Sequence, residues 1–547
     1  MSAAAVTAAP ARTWSAYQLA VFRDIEEGKG HTIIRARAGC AKTTTSVESL
    51  KYLPTKPCLD CDGAGHVAAD DPQEEDDTCD ACKGSGKVAV SCLFVAFNKD
   101  IAVELQKRVP AGVEASTTHS FGFAQVRRAL GRVVIEKNKT YIILNNILTS
   151  ADLERTEWLA SLVKVVSLAK GALVSTPAKI DALMDAFDID LNNAHADDDD
   201  RAKDRTKFIA TVLNVLKHAA NTGAQCKVGG KFVKNFAAGL IDFDDMIWLP
   251  IVRDFKIAQY DFVFIDESQD LNPAQIELAI RACAFPGGRI IAVGDDRQAI
   301  YGFRGADTRA IQNMVKRLSA KIMPLSVTYR CSRAVVAVAK TYVPDLEAAP
   351  NAAQGRVHGN TPWNEMLKLA RPGDFILSRS NAPLIGLCMS FLAEGRRAAI
   401  QGRDLAKNLV STIKRSRMAT VDGFLSYLDA WEAAEKRRLL ARKPVAGDVA
   451  PVEDKATCLR TLCEGAQSLA EVVARIESLF SDDDNTSRIV LSTTHKAKGL
   501  ERDRVFVLRG TYGKLETEEA ENLFYVAVTR ARDELHLVAD KPKSEEG

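Results

Sequence analysis

The sequence predicts an α/β fold of two parallel-sheet lobes, each carrying a helical insertion, with a small cysteine-rich insert in the first lobe. Three observations carry this expectation. Short β-rich apolar runs recur far apart and are separated by stretches of helical spacing, the alternation that parallel sheets require. Residues 31–50 read as a strand, a loop and a helix in immediate succession. Two C-x-x-C pairs, Cys58/Cys61 and Cys79/Cys82, stand between that helix and the next apolar run.

In chain order, residues 1–12 (MSAAAVTAAPAR) have no charged n-region ahead of an apolar core and are expected to be a disordered terminus rather than a signal peptide. Residues 13–122 form the first part of lobe one and include the insert at 55–91. A helical block follows at 123–235, and 236–320 completes that lobe. Lobe two begins at 321–401, is interrupted by a reduced helical insertion at 402–485, and closes with 486–547. The runs CLFVAF, FVFIDE, RIIAVGD, DFILSR, RIVLSTT, RVFVLRG and ELHLVAD supply the strands. The acidic runs at 197–200 and 481–485 read as solvated loops.

Composition excludes several classes. A chain of 547 residues with 46% apolar and 26% charged content is an ordinary globular protein of several cores. No apolar run reaches the roughly 18 residues of a membrane span, so a cytoplasmic protein without a membrane partner is expected. A net charge of +2 supplies no global attraction for polyanions, so a nucleic-acid partner must be held by a local basic surface. Twelve cysteines in a reducing compartment point to metal binding rather than to disulfides.

The loop RARAGCAKTTTS (35–46) nearly spells G-x-x-x-x-G-K-[ST]. Gly39, Lys42 and Thr43 keep their places, but Ala36 and Ala41 replace the two glycines, and Ala41 adds a methyl where backbone should approach phosphate. Cys40, inside the loop, suggests sensitivity to oxidation. The run FVFIDESQD puts Asp266 and Glu267 at the end of an apolar strand, on the carboxyl edge where open α/β sheets bind ligands. Asp266 suits Mg²⁺, Thr43 supplies a second magnesium ligand, and Glu267 suits orientation and deprotonation of a water. Together with Lys42 they make the set that nucleoside triphosphate hydrolysis needs.

From Tyr17 to Val538 the sequence resembles the UvrD/Rep helicases of superfamily 1, and its phrases AFNK, TTHSF, ESQDLNP and IYGFRGA are closest to the F-box-helicase-like branch, although no F-box is recognised. The resemblance implies two RecA-like motor lobes, ATP with Mg²⁺, and movement 3′ to 5′ on single-stranded DNA coupled to lobe closure. It implies that Gln18 reads adenine and that Tyr329 stacks on it. Gln298, Arg330 and Arg530 would sense or stabilise the γ-phosphate, and Glu501 would lie near the ribose. It assigns DNA contacts to Phe97, Asn98, Thr118, His119, Tyr301, Phe303, Arg304, Arg379, Asn381, Thr493 and His495. Sequence-tolerant stacking on such aromatics is worth about 1–3 kcal/mol per base.

The cysteine pairs form a second constellation. Seventeen residues, 62–78, separate the C-x-x-C pair of CLDCDGAG from that of CDACKGSG, a spacing that suits one four-cysteine zinc site at Cys58, Cys61, Cys79 and Cys82. The repeats resemble half of a DnaJ-type zinc-binding region. Free thiols or a redox pair are the other readings. The stretch DDPQEEDD within the insert is acidic, so a structural clip or protein-docking knob is expected over a DNA wedge. The remaining cysteines, at 40, 92, 226, 283, 331, 388, 458 and 463, read as buried apolar residues. Two functions remain open: a helicase or translocase acting on single strands and duplex junctions, or a nucleotide-switched DNA-binding scaffold that recruits a protein partner through the zinc insert.

Overall fold

The computed structural model describes residues 13–67, 76–96, 99–107, 109–110, 112–148, 158–187, 189, 191, 198–221, 227–228, 231–232, 239–302, 307, 309–440, 449–480 and 487–540. Two compact units divide the chain: residues 1–189, 206–296 and 304–327 form one, and 190–205, 297–303 and 328–547 the other. Numbering only the strands of the two large sheets, the first unit contains β1 (Thr32–Ala36), β2 (Cys92–Ala96), β3 (Val113–Thr117), β4 (Phe262–Ile265), β5 (Arg289–Gly294) and β6 (Lys321–Leu325). They pair in the order β6-β1-β5-β4-β2-β3, all parallel.

Both faces of this sheet are buried, which explains why its inner strands are apolar without alternation. Ile33, Leu93, Val263, Ile265 and Ile290 pack on one side. Their neighbours Ile34, Phe94, Phe262, Phe264 and Ile291 pack on the other. The last strand corrects one expected boundary. Lys321–Leu325 pairs with β1 over its whole length, so lobe one runs past residue 320 and the second unit resumes at Thr328.

The second unit contains β7 (Arg356–Thr361), β8 (Phe375–Ser378), β9 (Ala398–Ile400), β10 (Ile489–Thr493), β11 (Arg502–Leu508) and β12 (Ala531–Val538), paired in the order β7-β12-β11-β8-β10-β9. All these pairings are parallel. The helices between β9 and β10 are α1 (Arg403–Ser416), α2 (Val421–Leu440), α3 (Ala450–Cys463) and α4 (Leu469–Leu479). Leu409, Phe424, Leu459 and Val472 of these helices share one core with Ile376, Ile400 and Leu491 of the sheet, so insertion and sheet fold against each other. Among the described residues no single helix is long and apolar enough to cross a membrane; one pair, bent by 110°, passes the same test jointly. The acidic run 481–485, the terminus 1–12 and Cys226 lie outside the described residues.

Candidate functional site

In the first unit, three neighbouring strands, β1, β5 and β4, end at the same carboxyl edge. From β1 the chain turns through residues 37–41 into the helix Lys42–Ser49, which presents the N–H groups of its first turn at that edge. Gly39 has φ 71° and Ala41 φ 60°. The left-handed backbone at Ala41 is one that glycine adopts freely and alanine adopts at a cost of about 1–2 kcal/mol. Glu267, directly after β4, is left-handed as well, with φ 48°. Two non-glycine residues held in that region at one sheet edge fit the strain that functional sites store.

The side chains converge. Lys42 Nζ donates to Glu267 Oε2 at 2.8 Å, and Thr43 Oγ1 donates to Asp266 Oδ2 at 2.9 Å. Gln269 Nε2 donates to the same Glu267 oxygen at 2.6 Å. Burial and the adjacent Glu267 charge push Asp266 up to about 6, against which Lys42 and Thr43 pull. Burial alone would lower Lys42, but the carboxylates of Glu267 and Asp295 hold it above its ordinary range. Arg37, which is unusually bulky for such a loop, is a buried staple: its Nη1 donates to Asp295 at 3.1 Å and to Asp296 at 2.6 Å, tying the loop to the end of β5. No motif pattern assigned it a role. Cys40 corrects the expectation of oxidation sensitivity, because it is fully buried and burial pushes its thiol up to about 12.

Gln18 is buried and used by the fold itself. Its Oε1 accepts from Ser15 N at 3.0 Å, closing a capping box, and its Nε2 donates to Thr45 on the phosphate-loop helix at 2.9 Å. Thr118 is buried and His119 exposed in the first turn of the helix that follows β3. Phe97, Asn98, Phe303 and Arg304 lie outside the described residues.

The second unit gathers the other candidates. Arg330 Nε donates to Glu501 and its Nη1 to Thr529 O at 3.4 Å. Arg530 is fully buried, donating to Val526 O at 2.8 Å, Leu500 O at 3.1 Å and Thr529 Oγ1 at 3.2 Å. Burial, then the neighbouring Arg330 charge, lowers it to about 9. Tyr301 Oη donates to His495 O at 3.0 Å. Lys498, which the sequence reading missed, sits 4.8 Å over the Tyr301 ring and donates to Gln298 O at 2.7 Å. Tyr329 and Arg379 are exposed, and Thr493 is buried at the end of β10. The Asn381 amide is held by Asp454, which also accepts from the Asn381 and Ala382 backbone at the start of the next helix.

Cys58, Cys61, Cys79 and Cys82 form a buried cluster in the first unit. Cys58 and Cys79 sulfurs are 3.8 Å apart, and Cys61 and Cys82 sulfurs 3.7 Å. A tetrahedron with Zn–S bonds of about 2.3 Å has edges of about 3.8 Å, so the donor set fits zinc. The two knuckles are related by an approximate dyad: Cys58 N donates to Gly86 O and Cys79 N to Gly65 O, each at 2.9 Å. A Cβ on Gly65 would fall 2.5 Å from Gly84 O, and one on Gly86 2.2 Å from Gly63 O, so both must be glycine. The insert roots at the amino edge of the sheet, where Lys56 Nζ, Ser91 N and Ser91 Oγ all bind Asp261 just before β4.

Comparison with known proteins decides the family. The model described as the UvrD/REP helicase N-terminal domain matches residues 81–319, and that of the UvrD-like helicase C-terminal domain matches 488–538. The chain belongs to the UvrD-like helicase family. F-box DNA helicase protein 1 of Schizosaccharomyces pombe is 25% identical to this UvrD-like chain over 492 residues, covering 81% of it and 52% of the relative. ATP-dependent DNA helicase PcrA of Staphylococcus aureus is 26% identical over 275 residues, 46% of this chain and 33% of the relative. The UvrD-like chain thus spans about half the length of the first and a third of the second.

Proposed function

We propose that this UvrD-like chain is an ATP-dependent DNA helicase or translocase that moves 3′ to 5′ on single-stranded DNA. One observation carries the reading: Lys42, Thr43, Asp266 and Glu267 meet beyond the carboxyl ends of β1 and β4, the two strands that flank β5, with contacts of 2.8 and 2.9 Å. The phosphate chain would lie over the first turn of the helix at Lys42, with the Lys42 ammonium on its terminal oxygens. Mg²⁺ fits the paired oxygens of Thr43 and Asp266 and would neutralise phosphate charge there. Nucleotide entry draws Lys42 from Glu267 and frees that carboxylate to accept a proton from water. Arg330 and Arg530, with Gln298, are assigned to the γ-phosphate, and Gln18, Tyr329 and Glu501 to the nucleoside. The DNA track is assigned to Thr118, His119, Tyr301, Arg379, Asn381, Thr493 and His495, and to Phe97, Asn98, Phe303 and Arg304. Coupling follows if both arginines exchange their present carboxylate and carbonyl partners for phosphate during each cycle.

A second reading has its own observation. Among the described residues Arg530 donates to Val526 O, Leu500 O and Thr529 Oγ1, all of its own unit, and Arg330 is paired with Glu501. A chain in which these contacts persisted would act as a nucleotide-switched scaffold, recruiting partners through the cysteine insert. That insert is proposed to hold one structural zinc. Its root at the sheet edge opposite the phosphate loop supports a clip or docking role. The discriminating experiment is ATP hydrolysis with and without single-stranded DNA, using Lys42→Ala as control: strand-dependent turnover lost in the variant supports the motor, whereas no stimulation of the wild type rejects it. Unwinding of 3′-tailed against 5′-tailed duplexes tests polarity.

A further inference from the structure

A row of three rings crosses the edge of the second sheet. Phe506 on β11, His536 on β12 and His358 on β7 are partners in strand register, and their rings stack at centroid distances of 4.4 and 4.2 Å. Packing alone would be served by any aromatic in these places, but the two imidazoles also meet a carboxylate. Glu534, two residues before His536 and so on the same face of β12, sets its Oε1 3.2 Å from His358 Nε2 and 3.1 Å from His536 Nε2. All three of these atoms lie within 4.8 Å of one another. None of the three residues belongs to the nucleotide, DNA or cysteine assignments. Past His358 the register of β7 on β12 shifts, and Thr361 Oγ1 reaches His536 Nδ1 at 2.9 Å. That contact occupies Nδ1 and turns Nε2 toward Glu534, the outer-shell support that metal-binding histidines use. Arg504, a cross-strand partner of Glu534, is drawn to Asp374 at 2.7 Å, so the Glu534 carboxylate faces the imidazoles. His536 is buried, Glu534 half-buried and His358 exposed, which gives a fixed ligand inside and an entry path outside.

We propose that His358 Nε2, His536 Nε2 and Glu534 Oε1 bind one divalent transition-metal ion of the zinc class and thereby pin the edge strand β7 to β12. Bonds of about 2.0–2.1 Å in a tetrahedron place neighbouring ligand atoms about 3.3 Å apart, close to the two N–O spacings of the site. Imidazoles with one carboxylate select zinc and its neighbours over calcium or magnesium, which take oxygen ligands. The two rings lie within 10° of parallel, so their lone pairs converge on one ion only after one ring turns. His358, with a side chain 45% exposed on the outermost strand, has the space to turn. The fourth position opens to solvent and takes water, so the ion exchanges where a closed four-thiolate site keeps its metal.

The test is zinc uptake by the full chain, dialysed against zinc-free buffer and then titrated with zinc chloride, with bound metal counted by atomic emission. The wild type is expected to take up one equivalent more than His358→Ala and one more than Glu534→Gln. Both replaced side chains reach solvent, so the core beneath them is unaffected. A cysteine insert emptied by dialysis refills in wild type and variants alike, so the difference between them reads this site alone. Thr361→Val, which removes the orienting hydroxyl and no ligand, is expected to weaken uptake about 10–100-fold. Amide hydrogen exchange reads the pinning of the strand. At free zinc ten times the dissociation constant, amides released only when β7 leaves β12 should exchange about elevenfold more slowly in the wild type, and at an unchanged rate in His358→Ala. Equal zinc uptake by the wild type and both ligand variants would overturn the proposal, as would a bound equivalent that leaves β7 exchange unaltered.

Discussion

Replacing Cys79 by serine tests how the cysteine insert is held together. Among the described residues, the cluster at the heart of the insert contains, apart from its four cysteines, only the partly buried Val88. Burial of that side chain contributes about 1 kcal/mol, whereas a structural zinc in a small domain contributes about 10–16 kcal/mol at neutral pH. With zinc bound as proposed, the metal would order the knuckles, and loss of one thiolate would remove most of what orders them. Zinc content by atomic emission is expected to fall from one per chain to near zero in Cys79→Ser. Hydrogen exchange gives the local readout. The Cys58 amide, which donates to Gly86 O at 2.9 Å, should exchange at least about a thousandfold faster, the ratio that about 4 kcal/mol represents. Amides of β4 and β5 should keep their protection, since both strands lie inside a sheet with apolar packing on each face. Wild-type zinc content in the variant, or unchanged protection of Cys58 in zinc-free protein, would refute the reasoning.

Four further outcomes follow from the candidate residues of the two units. Asp266 titrates near 6, so kcat/KM for magnesium-ATP should fall about tenfold from pH 7 to pH 5 as the carboxylate protonates. Because its folded pKa is raised, Asp266 favours the fold at low pH and loses that contribution as pH rises through about 6; Asp266→Asn should therefore raise the melting temperature at pH 7.5 while abolishing turnover. Ala41→Gly relieves about 1–2 kcal/mol of left-handed strain but adds about 0.5–1 kcal/mol of chain entropy, so stability should change little while KM for ATP falls, as thermal melts and steady-state kinetics would record. Arg530→Ala empties a fully buried site and removes three donor contacts, leaving Leu500 O without this donor at about 1–3 kcal/mol while Val526 O keeps its bond from Thr529 Oγ1, and should melt several degrees lower, whereas Arg330→Ala loses a partly exposed ion pair worth up to about 1 kcal/mol and should melt close to the wild type.

The interior of each sheet was legible in the sequence and its margins were not. The eight apolar runs became β1, β2, β4, β5, β8, β10, β11 and β12, all flanked by strands on both sides. The four strands that the runs did not reveal, β3, β6, β7 and β9, are the outer strands of the two sheets. Arg356–Thr361 is exposed at four of its six residues and Lys321–Leu325 at three of its five, so neither carries the continuous apolar signature of a strand covered on both faces. At the candidate site, the meeting of Lys42 with Glu267 and of Thr43 with Asp266 was legible because the motif pattern pairs those residue types. Arg37 and Lys498 were not, because their partners, Asp295 with Asp296 and Gln298 O, are brought near only by folding. The parked state of Arg530 was equally hidden, since its acceptors are mostly backbone carbonyls that any sequence supplies.

The two-stranded stalk of the cysteine insert has a practical use. Thr55 stands directly opposite Ala89 in an antiparallel pair, so the chain leaves and re-enters the lobe at neighbouring points. A two-residue hairpin turn can span that gap, and the whole appendage is thereby exchangeable for a tag, a reporter or a foreign module without moving the register of the sheet beneath it.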